Sequence, residues 1–332
     1  MGKGKVTIAT IAEILNVSPI TVSRALSNRP GVSDELRQII KAKAQELGYR
    51  KPKCNDKINV LLLVRRRYVE DNSNFSYKVQ GIEKYIRECN AQFTMEFVDQ
   101  ESHDKLVLPY NLSKQCFDGA ILLGSFSDDY AKIVNKQVDN IVVFNNYCYN
   151  TDCDHVYYDF NKAGYRGAKY LIEKGHTKIG FIGVEGVFAN PQRYLGYRTA
   201  LEQRSLEVYE EHIIHHRDQI TEVIPRLAQE NNLPTAFLCE SDRCALKVVQ
   251  ILYELKIRVP EQVSVIGLGN SDMAQIATPS LTTFDLNIDF ACHTVVKMLL
   301  NRINADEPLP YQIACIDTVL VERQSVAAIK KP

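Results

Sequence analysis

The feature that most constrains this fold is the regular alternation of short β-rich runs with helical segments from residue 58 onward. Strands are predicted at 58–64, 93–98, 120–124, 141–144, 178–183, 236–239 and 263–267. Apolar residues recur at three- and four-residue spacing, which predicts helices, in 77–89, 161–174, 193–203 and 242–255. Such alternation is typical of parallel sheets flanked by helices. Two such sheets facing each other form a hinged cleft, and ligands bind beyond the carboxyl ends of parallel strands.

The first 57 residues have a different pattern, with three short helices predicted in succession. Ser18 followed by Pro19 is a helix-start signal, and Gly48 is a helix-stop signal. The apolar faces of the three helices are formed by Ile11, Ile14 and Leu15, by Val22 and Leu26, and by Leu36, Ile39, Ile40 and Leu47. Because only a tight turn separates the first two, a helix-turn-helix is predicted, whose second helix can enter the major groove of DNA.

Charge is distributed unevenly along the chain. Lys plus Arg and Asp plus Glu number 40 each, so the net charge is zero. Residues 1–57 contain 11 basic and 5 acidic residues, net +6, which leaves 29 basic and 35 acidic residues, net −6, in the remainder. A basic head on an acidic body favours a polyanionic partner for the head alone. The alternative is a small helical bundle that contacts protein, and the net charge of +6 favours DNA over it.

A dense motif lies within this head: Val6-Thr7-Ile8, Val17-Ser18, residues 21–26 (Thr-Val-Ser-Arg-Ala-Leu), 29–33 (Arg-Pro-Gly-Val-Ser) and Leu47-Gly48-Tyr49. It resembles the DNA-binding signature of the LacI/GalR repressor family. The resemblance implies phosphate contacts by Thr7, Ser18, Thr21 and Ser33, and base contacts by Pro19, Ile20 and Arg24. Arginine can donate two parallel hydrogen bonds to guanine, whereas proline and isoleucine offer only apolar contact, for instance to a thymine methyl group. Specificity is therefore expected to depend on Arg24 and on DNA shape.

The linker to the first predicted strand is short, because only eight residues separate Tyr49 from Ile58. The family normally has a Pro-Asn pair here and a hinge helix whose leucine inserts into the minor groove, and this chain has neither. We expect Arg50, Lys51 and Lys53 to form a basic strap on phosphates or in a narrow minor groove, with weaker operator bending. A solvated linker is the alternative.

The resemblance extends through the larger segment, carried by residues 81–83 (Gly-Ile-Glu), 117–122, 171–183, 259–267 and 278–283. It implies an α/β, two-lobed effector domain of the periplasmic-binding-protein-like type I fold, after an all-α three-helix DNA-binding domain. The expected boundaries are 1–50 for the DNA-binding domain, 51–57 for the linker and 58–332 for effector binding and dimerisation. Lobe 1 is expected at about 58–159 and 287–316, and lobe 2 at about 160–286 and 317–332.

Candidate effector-binding residues lie at strand ends and in loops. Arg193, three residues before Gly196-Tyr197, matches a family arginine that holds ligand hydroxyls or carboxylates, and a planar guanidinium suits a polyol. An exposed arginine at a helix start is the alternative. The other candidates, each with a structural alternative, are Asn74, Phe75, Ser125, Asn145, Asp159, Asp242 and Asn270. Residues 267–270 (Gly-Leu-Gly-Asn) replace the family's Gly-aromatic-Asp-Asp, so one acidic acceptor is lost. Residues 124–127 and the short linker resemble β-galactoside-responsive members most.

Other chemistry has little support in the sequence. No HExxH, GxSxG or Walker motif occurs, so neither catalysis nor a cofactor is predicted. Two groups contain metal-binding residue types without compact spacing, and structural or solvated roles are predicted for both: His212, His215 and His216, and Cys148, Cys153 and His155. The nine cysteines form no CxxC pair and are predicted to be reduced thiols. No apolar run approaches bilayer length and no signal-peptide core is seen, which predicts a cytosolic protein.

The resemblance implies a homodimeric transcription regulator, typically a repressor of a sugar-utilisation operon, whose affinity for double-stranded operator DNA is controlled by a small molecule. A sugar is expected, with a galactoside as one candidate. Two other classes of protein agree less well with the sequence. A transport-type sugar-binding protein would not account for the basic head, and a sugar hydrolase would need paired carboxylates in the cleft.

Overall fold

The computed structural model describes residues 6–26, 31–47, 49, 57–71, 74–183, 185 and 189–329. The strands are β1 (Asn59–Arg65), β2 (Gln92–Val98), β3 (Gly119–Leu123), β4 (Ile141–Phe144), β5 (Asp154–Tyr158), β6 (Ile179–Ile182), β7 (Ile213–Ile214), β8 (Ala236–Cys239), β9 (Ser264–Ile266), β10 (Thr283–Asp285), β11 (Ile313–Ile316) and β12 (Val319–Val321). The helices are α1 (Ile8–Leu15), α2 (Pro19–Leu26), α3 (Asp34–Glu46), α4 (Arg66–Asp71), α5 (Phe75–Glu88), α6 (Gln100–Asp104), α7 (Tyr110–Lys114), α8 (Asp128–Asn135), α9 (Phe160–Glu173), α10 (Ala189–Glu202), α11 (Ile220–Gln229), α12 (Asp242–Glu254), α13 (Asp272–Ile276) and α14 (Ile288–Asn304). In the part of the chain so described, no helix is both long enough and apolar enough to cross a membrane.

The first three helices form the predicted helix-turn-helix. Asn16 ends α1 in the left-handed conformation, with φ of 52°, and turns the chain towards α2. A separate core joins the three helices, formed by Ile11, Ala12, Val22, Ala25, Ile40 and Ala44. Two apolar residues predicted to face inward do not: Ile14 is 48% exposed and Ile39 is 53% exposed. Because successive helical residues are separated by about 100°, Ile39 points away from the face that buries its neighbour Ile40.

The first sheet of the larger domain has six parallel strands in the order β11-β5-β4-β3-β1-β2. Strand β1, which lies between β3 and the edge strand β2, is buried along its whole length, and its sequence is therefore a nearly continuous apolar run rather than an alternating one. Helices α5 and α14 pack together against this sheet, with Ile82, Cys292 and Leu299 buried between them and the strands. The predicted parallel α/β architecture is thereby confirmed for this half.

The second sheet has four parallel strands in the order β7-β6-β8-β9, and β10 pairs with β12 in a separate antiparallel pair. All seven predicted strands are present. The sequence analysis missed β5, β7, β10, β11 and β12, because these runs are short or carry polar residues. In β5, for example, Asp154 and His155 are buried polar residues and obscure the strand pattern.

The chain passes between the two sheets at three places. Hydrogen bonds and an ion pair connect these three segments. The Asp159 N–H donates to the Ile316 carbonyl oxygen at 2.8 Å. The carboxylate of Asp317 lies 2.7 Å from Lys162 Nζ, and its main-chain oxygen accepts from Asn287 Nδ2 at 2.9 Å. The strands of each sheet fall within the expected bounds of one lobe. The lobe boundaries themselves stay a prediction, because a shared sheet does not define a folding unit.

Helices α9 and α10 cross closely because glycines allow it. A Cβ atom on Gly164 would lie 2.0 Å from the Arg193 carbonyl oxygen, and one on Gly196 would lie 1.9 Å from the Asn161 carbonyl oxygen. Both are backbone atoms that cannot move aside, so only glycine permits this approach. The crossing sets the position of α10 and hence of Arg193.

Candidate functional site

A cavity of about 370 Å³ lies beyond the carboxyl ends of strands from both sheets. One side, which we call the first wall, is formed by Arg65, Tyr68, Asn74, Lys78, Gln100, Ser125 and Asn145. The opposite side, the second wall, is formed by Phe160, Glu185, Ala189, Asn190, Arg193, His216, Arg217, Asp218, Glu240, Ser241, Leu268, Gly269 and Leu286. This placement follows the rule that parallel α/β sheets present their loops for ligand binding at the carboxyl ends.

Lys78 on α5 is the most unusual residue of the first wall. Its side chain is fully buried, and its Nζ atom has no hydrogen-bond partner. The ammonium group lies 5.4 Å from the ring centre of Tyr68 and 5.6 Å from that of Tyr158. Burial lowers the pKa of Lys78 to about 8, because the charged form loses its hydration.

Two further polar groups complete the first wall. Asn145 follows β4 in the left-handed conformation, donates from Nδ2 to the Tyr68 hydroxyl at 2.9 Å, and leaves its buried Oδ1 without a partner. Arg65, at the end of β1, donates to the Asp99 carbonyl oxygen at 3.0 Å and to Gln100 Oε1 at 2.7 Å. These two acceptors hold the guanidinium at the edge of the cavity.

Asn74 connects the two walls. Its Nδ2 donates to the Gly269 carbonyl oxygen at 2.7 Å, across the cleft between the sheets. Gly269 has a φ of +132°, which side chains other than hydrogen rarely permit, and a Cβ atom there would lie 2.9 Å from Asn74 Nδ2. This contact fixes one edge of the cavity.

Two carboxylates of the second wall lie beside basic side chains. The Glu240 carboxylate accepts from Asn190 Nδ2 at 2.9 Å and lies 3.6 Å from Arg217 Nη1. Glu185 lies 2.7 Å from His216 Nε2.

Arg193 on the second wall is buried. Its Nη1 donates to the Glu240 main-chain carbonyl oxygen, and its Nε has no partner. Burial lowers the pKa of Arg193 to about 10, and its guanidinium lies 5.4 Å from the Phe160 ring centre. Arg193 is therefore not an exposed residue at a helix start, and its contact with a ligand stays a prediction.

Four of the eight predicted effector-binding residues line the cavity: Asn74, Ser125, Asn145 and Arg193. The structure brings these together from four different segments of the chain. Their contact with an effector stays a prediction.

The other four predicted residues do not line this cavity, and their role in effector binding stays a prediction. Phe75 packs against Phe97, with ring centres 6.3 Å apart. Asp159 caps α9 by accepting from the Lys162 N–H at 2.9 Å. In both cases a local partner holds the side chain.

Asp242 and Asn270 are similarly occupied by neighbouring elements. Asp242 is fully buried and accepts from the Ser271 N–H at 2.7 Å and from the Thr283 hydroxyl. Burial raises the pKa of Asp242 against the effect of these hydrogen bonds. Asn270 accepts from Arg323 at 2.6 Å and donates to Asp285 at 2.7 Å. Both residues join the loops of the second lobe to each other.

The sequence analysis missed Lys78, Arg65, Tyr68 and Glu240. A signal for Lys78 existed, because it precedes Ile82 and Ile86 at four-residue spacing, on the stripe of α5 that faces the core. A lysine on such a stripe predicts a buried cation that needs a binding partner. Arg65 carried a weaker signal as the basic end of an otherwise apolar strand.

The predicted phosphate-contacting hydroxyls lie at the starts of the first three helices. Thr7 accepts from the Thr10 N–H at 3.2 Å, Ser18 from the Thr21 N–H at 3.0 Å and Ser33 from the Leu36 N–H at 3.4 Å. The Thr21 hydroxyl lies 2.8 Å from that of Ser18. Helix N-termini favour anions, because free N–H groups and the helix dipole point towards them.

The residues predicted to read bases are only partly described. Pro19 and Arg24 on α2 are exposed, as base contact requires. The side chain of Ile20 and the three strap residues Arg50, Lys51 and Lys53 lie outside the described part of the structure.

The two candidate metal groups are held by other contacts. His212 Nε2 lies 2.8 Å from the Asn232 carbonyl oxygen, whereas His215 and His216 both face Glu185. His155 Nε2 accepts from the Cys148 N–H at 3.1 Å. Over the described residues, no cluster of three or more metal-binding side chains was found. The eight cysteines described are unpaired thiols, and Cys54 lies outside that part of the chain.

Comparison with known families matches two segments of the chain. Residues 7–51 match the bacterial regulatory proteins of the lacI family, and residues 168–326 match a periplasmic binding protein-like domain. The NTD biosynthesis operon regulator NtdR of Bacillus subtilis (strain 168) is 28% identical over 330 residues, which cover 96% of this chain and 99% of the relative.

Solved structures with the same fold span almost the whole chain. A complex of the transcriptional regulator CelR with cellobiose has a TM-score of 0.71 at 25% identity, and the match covers 96% of this chain and 99% of the other. The lac repressor dimer bound to operator and the anti-inducer ONPF has a TM-score of 0.70 at 20% identity, covering 97% and 99%. Both support the fold from the helix-turn-helix to the last strand.

Proposed function

We propose that this chain is a regulator of the lacI family, whose model it matches over residues 7–51, and that it represses a sugar-utilisation operon and releases its operator when a small molecule occupies the cavity. The observation that carries the proposal is that one chain joins an exposed helix-turn-helix surface to a cavity lined from two sheets. We assign residues 1–50 to DNA binding, 51–57 to the linker and 58–332 to effector binding and dimerisation.

In the proposed complex, α2 lies in the major groove. Arg24 donates to a guanine, and Pro19 and Ile20 make apolar contacts to neighbouring bases. Thr7, Ser18, Thr21 and Ser33 are proposed to contact phosphates, supported by the positions of their hydroxyls at helix starts. The strap of Arg50, Lys51 and Lys53 is proposed to follow the backbone, and a strong central kink in the bound operator would contradict it.

On the effector side, Asn74, Ser125, Asn145 and Arg193 are the proposed contacts. Cellobiose bound to CelR supports a sugar as the ligand class, and a galactoside is one candidate. Ligand contacts to both walls would favour one angle between the lobes and so change the spacing of the DNA-binding heads. A difference in affinity between two states of about 1–3 kcal/mol is sufficient for such coupling.

The remaining parts of the proposal concern assembly and chemistry. The chain is proposed to act as a homodimer on a pseudo-palindromic site, and the structure of the lac repressor dimer bound to operator supports a dimer. We propose that the cavity binds its ligand without converting it, so that incubation with β-galactosides yields no product. Operator DNA as partner places the proposed site of action in the cytoplasm.

The proposal is tested with Arg24→Ala. A preferred duplex is first selected from a random pool with the wild-type protein, and binding is then followed by fluorescence anisotropy at several salt concentrations. We expect Arg24→Ala to lose about 1–3 kcal/mol of discrimination at one base pair, because that is what a bidentate contact contributes. Weak, salt-sensitive binding to any duplex should remain.

Arg87→Ala is the matched control, because Arg87 is an exposed helical arginine of the larger domain, paired with Glu83 at 2.6 Å. It should bind the selected duplex as the wild type does. Unchanged discrimination in Arg24→Ala would reject α2 as the reading helix. A wild-type protein without salt-sensitive binding to any duplex would reject the proposed function itself.

A further inference from the structure

Lys78 is a buried cation without a hydrogen-bond acceptor. Its ammonium group has three N–H donors, and Nζ has no partner although the side chain is fully buried. Burying a charged group without a partner is costly, and such groups in native proteins are normally paired or bind a ligand. Lys78 also lines the cavity, so the missing partner can come from the cavity side.

The surroundings of Lys78 position the ammonium group without satisfying it. Its Nζ lies between the rings of Tyr68 and Tyr158, at 5.4 and 5.6 Å from their centres. Aromatic faces attract a cation, but they do not replace the oxygen acceptors that the N–H groups lose on burial. Tyr68 itself lines the cavity, and its hydroxyl accepts from Asn145.

A line of aromatic contacts joins Lys78 to the second buried cation. The ring centres of Tyr158 and Phe160 are 5.7 Å apart, and the Arg193 guanidinium lies 5.4 Å from the ring centre of Phe160. Arg193 also keeps a buried donor, Nε, without a partner. Each wall therefore contributes a buried cation with unused hydrogen-bonding capacity.

The carboxylates near the cavity do not neutralise the first wall. Glu185, Asp218 and Glu240 are the carboxylates that line the cavity, and all three lie on the second wall. Glu240 lies beside Arg217 and accepts from Asn190, and Glu185 lies beside His216. Among the residues that the structure describes, the first wall contains no carboxylate, and none forms an ion pair with Lys78. An anion from solution would supply the missing charge.

We propose that the ligand of this cavity is a small polyhydroxylated compound carrying an anionic group, a carboxylate or a phosphate, and that Lys78 binds that group. The proposal deepens the proposed function and rests on it. The neutral polar groups of the first wall, Asn74, Ser125 and Asn145, suit the hydroxyls of such a ligand, and a volume of about 370 Å³ suits a small molecule.

The first experiment uses simple anions as probes on the full-length protein without DNA. Thermal unfolding is followed while inorganic phosphate or acetate is added, with sodium chloride adjusted to hold the ionic strength constant. The wild-type protein should bind at least one of the two at least tenfold more tightly than Lys78→Met. Because methionine has similar length and no charge, the variant should fold, and Lys78→Gln provides a second uncharged variant.

Lys84→Met is the matched control, because Lys84 lies on the same helix and its side chain is 52% exposed. It should retain the wild-type response. Equal responses of the wild type and both Lys78 variants to phosphate and acetate would overturn the proposal, because the binding would then come from surface charges.

The second experiment distinguishes the anion source and separates this inference from the proposed function. D-glucose, D-glucuronate and D-glucose 6-phosphate, and the three corresponding galactose compounds, are tested for binding and for release of the selected duplex. The proposal expects at least a tenfold preference for a carboxylate or a phosphate over the neutral sugar, lost in Lys78→Met. A neutral sugar that releases DNA equally from both proteins would overturn the proposal and leave the proposed function standing. Anion binding through Lys78 in a protein that binds no duplex would support the anionic ligand and reject the proposed function.

Discussion

The two walls of the cavity are built from the same kind of element, the carboxyl ends of parallel strands. They differ in the partners of their charged side chains. The second wall places Glu240 against Arg217 and Glu185 against His216. The first wall carries Arg65 and Lys78, and the acceptors of Arg65 include a neutral carbonyl and a neutral amide, whereas Lys78 has none. All three carboxylates that line the cavity lie on the second wall, whereas the buried Lys78 of the first wall keeps a positive charge that a ligand can balance.

This difference bears on specificity. A wall with internal ion pairs can discriminate by shape and hydrogen bonding, but it gains little from the net charge of a ligand. A wall with an unpaired buried cation favours anions and also penalises neutral competitors, because these leave the cation unsatisfied. The balance of the two walls therefore determines the ligand class more than either wall does alone.

The largest expected effect is on stability without ligand, for Lys78→Met. Burial lowers the pKa of Lys78 from 10.5 to about 8, which corresponds to about 3 kcal/mol of destabilisation while the group is charged in both states. Lys78→Met should therefore be more stable than the wild type by about that amount at pH 7. Between pH 8 and 10.5 the unfolded chain binds more protons at this site, so the wild type regains stability and the advantage of the variant disappears.

Urea unfolding at pH 7 and pH 10 measures this difference, with Lys84→Met as the exposed control. The control should stay within about 0.5 kcal/mol of the wild type at both values, as exposed ion pairs contribute little. A Lys78→Met variant less stable than the wild type at pH 7 would mean that Lys78 has an ionic partner. That result would contradict the claim that the first wall contains an unpaired cation.

An intermediate effect is expected for Arg193→Ala, which tests the one cation of the second wall with an unused donor. The sugar concentration for half-maximal operator release should rise at least tenfold, about 1.4 kcal/mol, because a charged hydrogen bond to the ligand is removed. Operator affinity without sugar should change less than twofold. Arg198→Ala is the control on the same helix, since Arg198 is exposed and pairs with Glu202 at 3.3 Å. An unaltered sugar response would exclude Arg193 from the binding site.

The smallest effect is expected for Arg217→Met on the second wall, and its sign is opposite to that of Lys78→Met. Removing this cation leaves Glu240 without its ionic partner at 3.6 Å, and the pair is only partly exposed. We expect a loss of about 1 kcal/mol in the free energy of unfolding. A double-mutant cycle with Glu240→Gln should show coupling of about 0.5–1 kcal/mol. Stabilisation by Arg217→Met would show that the second wall also carries excess positive charge.

Local sequence signals were sufficient where the determining interactions are local. The turn after α1 and the start of α2 at Pro19 depend on capping preferences and on apolar spacing, and both are visible in the sequence. Strands β1, β4 and β8 are short apolar runs bounded by polar residues, so their existence could also be predicted. Strand β7 has only two residues and depends on pairing with β6, which no local pattern reveals.

The sequence by itself determined that the chain has a basic helix-turn-helix head, a parallel α/β body and polar residues at the strand ends. Only the tertiary structure decided which of these polar residues face the cavity. Asp159 and Asp242 lie at suitable ends but are held by a helix cap and by neighbouring loops. Lys78 lies within a helix, yet the fold buries it against the cavity without a partner. The physical reason is that capping and hydrogen-bonding partners, not position along the chain, determine where a polar side chain points.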